Sequence, residues 1–320
     1  MTVILDNGEV LDALPNDAAT AAHVVRIEGN ADLRDYAHPL SALTKIDGNA
    51  YFIGYEHVLP ALTHIGGNAY LRHYAHPLPA LTHIGGNADF WLYQHSLSVL
   101  THIGGTPSLR AYDRPLSSLK YIGGDVELCD YKWPMLELLE IGGDADLRNY
   151  ENALPALKHI VGDAYLFGYE HPLPALTRIG GAAYLDGYRN LLPALTEMGN
   201  APDLCYYKHP LLALARIRGV ANLCGYSHPL PSLMHICAAS LRDYEHVPSW
   251  INYVGDDSRG YSFWADLLRG LVRGGCHSFT PEEALAHWGP GGESDRPDCL
   301  ALAQKASALI AKGLIAEGRS

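Results

Sequence analysis

The sequence predicts a mainly β protein: a parallel β solenoid of about twelve 19-residue coils, followed by a small α+β C-terminal module. The first observation is an "IGG" motif that returns every nineteen residues without an insertion. The second is a small-x-Leu-x segment inside each repeat, which alternates like a short half-buried strand. The third is the end of the period after Tyr244, where a different hydrophobic pattern begins.

We number each coil from the isoleucine of "IGG", which is position zero. Helical repeats are usually longer than about thirty residues, so a repeat of nineteen fits one turn of a strand-based solenoid. The position-zero residues are Ile27, Ile46, Ile65, Ile84, Ile103, Ile122, Ile141, Ile160, Ile179, Met198, Ile217 and Ile236.

The repeated apolar positions predict the core. In the coil that begins at Ile65 they are filled by Ala69, Leu71, Tyr74, Leu78 and Leu81. The glycines of "GGN", with the Asn or Asp after them, are expected to supply left-handed dihedrals at one corner. The prolines of "HPLP" resist a helix and are expected to form the opposite corner.

The period also predicts the domain organisation, because each coil is stable only between neighbours and both ends need caps. Residues 1–26 are the N-terminal cap, 27–246 the solenoid, 247–260 a cap and linker, and 261–320 the C-terminal module.

Within the module, "YSFWADL" and "LVRGGCHSF" predict two strands joined by a turn. Thr280 is the expected N-cap of a short helix over 281–288, and Glu283 completes a capping box. Asp298 is expected to cap a second helix near 299–316.

Composition narrows the class of protein. The 320 residues carry a net charge of -12 and are 48% apolar, which indicates a folded, acidic chain. Acidity disfavours duplex nucleic acid as a partner, because that binding needs Lys and Arg. The start of the chain predicts no signal peptide and no membrane span, and the cysteine spacing predicts free thiols in a reducing cytoplasm.

Two segments resemble known proteins. "LPALTHIGGNAYLRHY" resembles a short leucine-rich repeat of the bacterial or receptor-L-domain type, which implies a recognition scaffold. Tyr replaces that family's Asn after the strand and a small residue replaces its first strand leucine, so a horseshoe and a straighter β-helix both stay open. "GCHSFTPEEALAHWG" resembles a C-terminal module of bacteriophage proteins of unassigned function, which implies a viral protein acting inside a bacterial host.

Histidines form two rows that could hold a metal or could be corner residues whose rings bond locally. We favour the corner interpretation, because a metal site needs three or four converging ligands, and we predict no metal and no cofactor. Position eleven holds His38, His57, His76, His95, His171, His209 and His228. Position eighteen holds His64, His83, His102, His159 and His235.

Two functional alternatives involve the C-terminal module. A pocket near it could capture a small molecule or a nucleotide signal. An enzyme site would have only the acid-base groups His277, Glu282, Glu283 and His287. Cys276 and His277 are adjacent in a predicted strand, so their side chains are expected to point to opposite faces.

Positions five and seven flank the strand leucine and are expected to face solvent, yet several are aromatic. Exposed aromatic residues mixed with arginine are typical of protein interfaces, although cross-strand packing within a ladder would also explain them. The sequence therefore predicts a non-enzymatic scaffold for a protein partner. The candidate partner-binding residues are Tyr51, Ile53, Tyr70, Arg72, Asp89, Trp91, Arg110, Tyr165, Phe167 and Tyr184.

Overall fold

The computed structural model describes residues 1–240, 244–275 and 277–316. The chain is mainly β, its parallel sheets form a β-solenoid, and a small helical part follows, so the predicted fold class is confirmed. About twelve coils were expected, and the solenoid makes about 11 turns. Contacts divide the chain into two compact units, residues 1–176 and 177–320.

The first unit contains a four-residue helix and eighteen strands, most of them two residues long. They are β1 (Thr2–Leu5), β2 (Val10–Leu11), α1 (Ala18–Ala21), β3 (Val24–Glu28), β4 (Ala31–Asp32), β5 (Lys45–Ile46), β6 (Ala50–Tyr51), β7 (His64–Ile65), β8 (Ala69–Tyr70), β9 (His83–Ile84), β10 (Ala88–Asp89), β11 (His102–Ile103), β12 (Pro107–Ser108), β13 (Tyr121–Ile122), β14 (Val126–Glu127), β15 (Glu140–Ile141), β16 (Ala145–Asp146), β17 (His159–Ile160) and β18 (Ala164–Tyr165).

Each coil contributes to two parallel sheets. Positions four and five form the predicted strand, which is two residues long rather than the four expected. Positions eighteen and zero form a second strand that the sequence did not predict. The paired coils of the first unit keep the same register, so Ile65 pairs with Ile84 in the first sheet and Ala69 with Ala88 in the second.

The predicted core positions are buried throughout the coils. In the coil that begins at Ile65, the side chains of Ala69, Leu71, Leu78 and Leu81 have no exposed surface. Consecutive coils therefore stack identical apolar side chains, and each coil covers the apolar edge of the one before it.

The tyrosine at position nine belongs to this core but has a polar end that bonds to the preceding coil. The Tyr74 hydroxyl donates to the carbonyl oxygen of His57 at 2.7 Å. The rings of Tyr74 and Tyr93 stack with centroids 6.3 Å apart. A buried hydroxyl needs such a partner, and the repeated carbonyl at position eleven provides it in coil after coil.

The "GGN" corner is built by side-chain bonds between coils. The Asn68 Oδ1 accepts the backbone N–H of Asn87 at 2.8 Å, and Asp125 and Asp144 are related in the same way. A Cβ on Gly86 would lie 2.3 Å from Asn68 Oδ1, so glycine is required there by close approach.

The expectation of left-handed dihedrals at this corner is wrong for most coils of the first unit, with Gly29 (φ 89°) as an exception. Left-handed residues occur instead at position eight, in the turn that follows the second sheet. In the first unit they include Asp35, Gly54, His73, Leu92, Ala111, Asn149 and Gly168.

The N-terminal residues close the exposed edge of the first sheet. β1 pairs antiparallel with both β2 and β3, and Val3 is fully buried. An antiparallel hairpin here covers backbone groups that a further parallel coil would otherwise pair.

The second unit holds further coils and the C-terminal module. Its elements are β19 (Arg178–Ile179), β20 (Ala183–Tyr184), β21 (Glu197–Met198), β22 (Arg216–Asn222), β23 (His235–Ser240), β24 (Ile251–Asp256), β25 (Ser262–Asp266), β26 (Leu271–Gly274), β27 (His277–Phe279), α2 (Pro281–Trp288) and α3 (Pro297–Ala316). None of the helices in the described part of the chain is long and apolar enough to span a bilayer.

The module is a four-stranded antiparallel sheet, β24 to β27, with α2 and α3 packed against its core. The predicted helix 281–288 and its capping box are confirmed. Three expectations differ from the structure. The segment "LVRGGCHSF", predicted as one strand, contributes two strands, β26 and β27. Residues 251–256, assigned to a linker, form β24. Asp298 lies in the first turn of α3 rather than at its N-cap, and its carboxylate accepts the N–H of Ser258.

Candidate functional site

The candidate residues at positions five and seven lie on the outer side of the second sheet and on the turn that follows it. Tyr51, Tyr70, Asp89, Trp91 and Tyr165 are half-buried. Ile53, Arg72, Arg110, Phe167 and Tyr184 are exposed. The alternation expected around the strand leucine is therefore present, but the larger aromatic rings are partly covered by their neighbours.

Four of the candidates converge on one groove in the first unit. Tyr70, Arg72, Asp89 and Trp91 line a shallow depression of about 400 Å³. The rest of its lining is small and polar, and consists of Asn87, Ala88, Thr106 and Ser108. We call these eight residues the Trp91 groove.

The groove residues also contact one another and the neighbouring Tyr51. Tyr51 and Tyr70 stack with ring centroids 4.7 Å apart and planes 6° from parallel. The guanidinium of Arg72 lies over Trp91 at 5.8 Å, which is within cation–π range. Ladder packing therefore accounts for part of the aromatic character, while the exposed Arg72 side chain leaves its donors on the surface.

The other candidates lie apart from the groove. Arg110 lines a neighbouring depression, described below. Tyr165 lies under the guanidinium of Arg148 at 5.7 Å, three coils beyond the groove, and Phe167 belongs to the same coil. Tyr184 belongs to the second unit. The structure therefore does not gather all ten candidates into one site.

Next to the groove the second sheet is interrupted, a feature that the sequence reading missed. β12 and β14 follow one another in the coil order but belong to different sheets, whereas β11 and β13 stay paired in the first sheet. In an intact coil the position-four alanine donates to the next coil, as Ala69 does to Asn87 at 2.9 Å. Pro107 occupies this position and has no N–H to donate. Proline at a strand position is a visible signal of such a break.

A depression of about 500 Å³ lies at this break. Arg110 is on one side, and Asp125, Glu127 and Cys129 are on the other. Cys129 is exposed, but partial desolvation, reinforced by nearby carboxylates, raises the pKa of its thiol. The thiol is therefore protonated at neutral pH and is a weak nucleophile.

Leu92, beside Trp91, is a second feature that the sequence reading missed. It occupies the left-handed turn position with φ 56°, and its side chain is 43% exposed. Gly54 and Gly168 fill the same position in other coils. A leucine that is both strained and exposed adds nothing to the core, so its place beside the groove marks it as a candidate contact residue.

The position-eleven histidines are corner residues that bond locally, as expected. The His57 Nε2 donates to the carbonyl of Ala37 at 2.8 Å, and His95 makes the equivalent bond to Ala75 at 2.7 Å. The His57 ring also packs edge-on against Tyr55. Each backbone bond occupies one of the two ring nitrogens and holds the ring at the corner.

The position-eighteen histidines lie on strands of the first sheet rather than at a corner, which corrects the expectation. His64, His83 and His102 stack with centroids 4.6 Å apart. The His83 Nδ1 donates to the Thr82 hydroxyl at 2.8 Å. Burial, and secondarily the two neighbouring rings, hold the pKa of His83 below its usual value.

The acid-base residues of the module do not form one set. His277 and His287 line a cavity of about 190 Å³ floored by Phe263 and Trp288. Glu283 is occupied as a helix cap, because its carboxylate accepts the N–H of Thr280 at 2.9 Å. Glu282 is exposed on the same helix and does not line that cavity. Cys276 lies outside the described residues.

Asp257, Asp298 and Cys299 bring their donor atoms within 4.8 Å of one another. Two guanidinium groups already pair with the buried Asp257 carboxylate, from Arg296 at 3.2 Å and Arg259 at 3.4 Å. Burial raises the pKa of the Cys299 thiol to about 11. The carboxylate charge is thus neutralised and the thiol is protonated, so we assign the cluster a structural role.

Free thiols are present at Cys129, Cys205, Cys224 and Cys299, and Cys205 and Cys224 belong to adjacent coils. Comparison with protein-family models, with curated proteins and with solved structures finds no match for this chain. The candidate site is therefore argued from its own geometry.

Proposed function

We propose that the chain is a non-enzymatic scaffold that binds a protein partner through the Trp91 groove. The observation that carries this proposal is the convergence of Tyr70, Arg72, Asp89 and Trp91 on one depression. All four stand at positions that vary between coils, while the core and corner positions around them repeat.

The groove has the composition of an interface centre. Tyr, Trp and Arg dominate binding energy at protein interfaces, because each buries a large area and also offers a polar group. Arg72 is exposed and keeps donors for a partner's carbonyl or carboxylate oxygens. The exposed Leu92 adds an apolar contact at the rim.

The break at Pro107 suggests how a partner segment would approach. The position-three carbonyl of Asp125 receives no hydrogen bond from Pro107, since proline has none to give. An extended segment of the partner could supply an N–H to this sheet edge, as in strand addition. Arg110 and Glu127 would then select the charges that flank the segment.

The motif resemblances extend the proposal one step further. A leucine-rich-repeat-like scaffold with a phage-like C-terminal module fits a phage-encoded protein that sequesters or inhibits a host factor in the bacterial cytoplasm. This role would require binding and no chemistry.

Site-specific photocrosslinking tests the proposal. A photoreactive residue at Ser108, which lines the groove, should capture a partner from bacterial lysate. The same residue at Leu136, an exposed position of the first unit outside the groove, should not capture it. Identical adducts at both positions would overturn the proposal, because contact would then be independent of the groove.

A further inference from the structure

The second unit carries an arginine-rich patch in a chain whose net charge is -12. The outward position-eighteen residues of β19, β21, β22 and β23 are neighbours across the first sheet. Arg178 pairs with Glu197, Glu197 with Arg216, and Arg216 with His235. The row therefore holds two arginines and a histidine around a single carboxylate.

A third arginine joins the same carboxylate. Glu197 lies 3.4 Å from Arg178, 3.1 Å from Arg216 and 2.6 Å from Arg218. Its side chain is mostly buried, whereas those of the three arginines are about half exposed. One negative charge is thus shared by three guanidinium groups, which leave donors facing solvent.

The C-terminal module adds two more guanidinium groups next to this row. Arg273 is buried and bonds Asp266 at 2.8 Å, and Arg269 bonds the same carboxylate at 3.2 Å. Arg269 also donates to the carbonyl of Met234, the residue before His235. Its guanidinium is therefore fixed at the end of the row.

Three of these arginines, Arg216, Arg218 and Arg269, line a depression of about 450 Å³ together with Ala215, Met234 and His235. Five arginines stand against two carboxylates, Glu197 and Asp266, so the patch carries three positive charges in excess. Burial is the largest cause that lowers the pKa of His235. The next largest is the positive charge of Arg269, Arg273 and Arg216.

The sequence also departs from the repeat at this arginine-rich patch. Position one is glycine in most coils, including Gly66, Gly85 and Gly104, but it is Arg218 here. Arg216 and Arg218 are two residues apart in β22, so their side chains leave the same face of the strand. A purely structural ion pair with Glu197 would need only one of them.

We propose that this depression binds a small ligand through a diphosphate group. Arginine forks match phosphate oxygens in bidentate geometry. An excess of three positive charges suits a diphosphate better than a monoanion. The depression is larger than one phosphate and falls within the volume range of small-ligand sites, about 300–1,000 Å³. This inference goes beyond the proposed function, because it concerns another unit and another class of ligand.

Calorimetric titration of the full chain with inorganic pyrophosphate tests the inference. We expect one saturable site per chain, with an affinity that weakens as NaCl is raised. The double variant Arg216→Ala/Arg218→Ala should lose about tenfold or more in affinity, since each charge-assisted bond contributes substantially. Arg189→Ala removes one positive charge from an exposed position of this unit outside the patch, and should bind as the wild type does.

Glu197→Gln provides a test in the opposite direction. It removes the carboxylate that competes with the ligand, so pyrophosphate should bind several-fold more tightly. If Arg216→Ala/Arg218→Ala fails to fold, Arg216→Lys/Arg218→Lys keeps the charge, loses the fork and should bind less tightly than the wild type.

One further probe identifies the source of the phosphate. A nucleoside diphosphate that binds more tightly than pyrophosphate would indicate a nucleotide ligand, and equal affinities would indicate recognition of the phosphates alone. The absence of saturable pyrophosphate binding by the wild type would overturn the inference. Binding that is unchanged in Arg216→Ala/Arg218→Ala would also overturn it.

Discussion

The Oδ1 of Asn68 accepts the backbone N–H of Asn87, nineteen residues later, at 2.8 Å. Asn68 in turn donates its own N–H to Asn49 Oδ1 at 2.8 Å. A row of side-chain acceptors therefore joins the coils at the "GGN" corner, beside backbone bonds such as that from the Gly86 N–H to the Gly67 carbonyl at 2.9 Å.

The Asn68 bond leads to a stability prediction. Asn68→Ala leaves the Asn87 N–H without this acceptor and should lower the free energy of unfolding by about 1 kcal/mol. Asn68→Asp keeps an acceptor oxygen, as Asp125 and Asp144 do in their own coils, and should lose less. Urea denaturation of the three proteins measures the difference. Equal stability of wild type and Asn68→Ala would show that water replaces the bond at no cost.

Substitutions of Leu92 should affect the stability of the chain and its binding of a partner in different ways. Leu92→Gly relieves the left-handed strain and should stabilise the chain by about 1 kcal/mol, while partner capture weakens. Leu92→Ala keeps the strain and removes the side chain, so it should weaken capture without stabilising. Thermal denaturation and partner capture are measured on the same preparations. A Leu92→Gly variant that loses stability would contradict the assignment of strain.

The tyrosines of position nine predict alkaline unfolding. Burial raises the pKa of Tyr36 to about 12 and also raises that of Tyr74. It likewise raises to about 12 the pKa of Tyr244, which ends the row one residue early, at position eight. The unfolded chain then ionises first, at its ordinary pKa near 10, so folding stability should fall as the pH rises above about 10. Phenolate absorbance and circular dichroism, recorded together, should change in one step for these residues. Ionisation of most tyrosines while the fold persists would contradict this.

The stacked histidines predict a loss of stability in acid. The pKa of His83 is lowered in the folded chain, so the unfolded chain binds the proton more readily. Stability is present above the ordinary pKa, near 6.5, and should be lost as the pH falls below it. The melting temperature should therefore drop between pH 8 and pH 5.

His83→Tyr is the matched variant for this test, because Tyr121 already occupies the same position two coils later. It keeps a ring in the stack and removes the titrating group, so the acid-induced drop should be smaller. A melting temperature that stays flat from pH 8 to pH 5 in the wild type would refute the argument.

The repeat made the coil predictable from the sequence, because burial selects the same residue type every nineteen residues. The core positions, the position-eleven corner histidines and the capped helix α2 all follow from local patterns of this kind. The first sheet was missed because a two-residue strand such as His64–Ile65 is too short to show alternation.

Relations between coils could not be predicted in the same way. The acceptor role of Asn68 and the need for Gly86 depend on how closely neighbouring coils approach. The convergence of Tyr70 and Trp91 on one groove, and its separation from Phe167, likewise depend on stacking. Pro107 was the exception: its effect on the sheet follows from its missing N–H and was visible in the sequence.

The central claim is that the Trp91 groove binds a protein partner. The most direct measurement is quantitative capture from bacterial lysate by the wild type and by Tyr70→Ala/Arg72→Ala/Trp91→Ala. The control is Val99→Ala/Leu136→Ala/Leu139→Ala, which removes exposed apolar side chains of the first unit outside the groove. Circular dichroism confirms that all three proteins are folded. We expect a partner that the wild type and the control retain equally and that the groove variant loses by about tenfold or more. Equal retention of every captured protein by the groove variant would contradict the account.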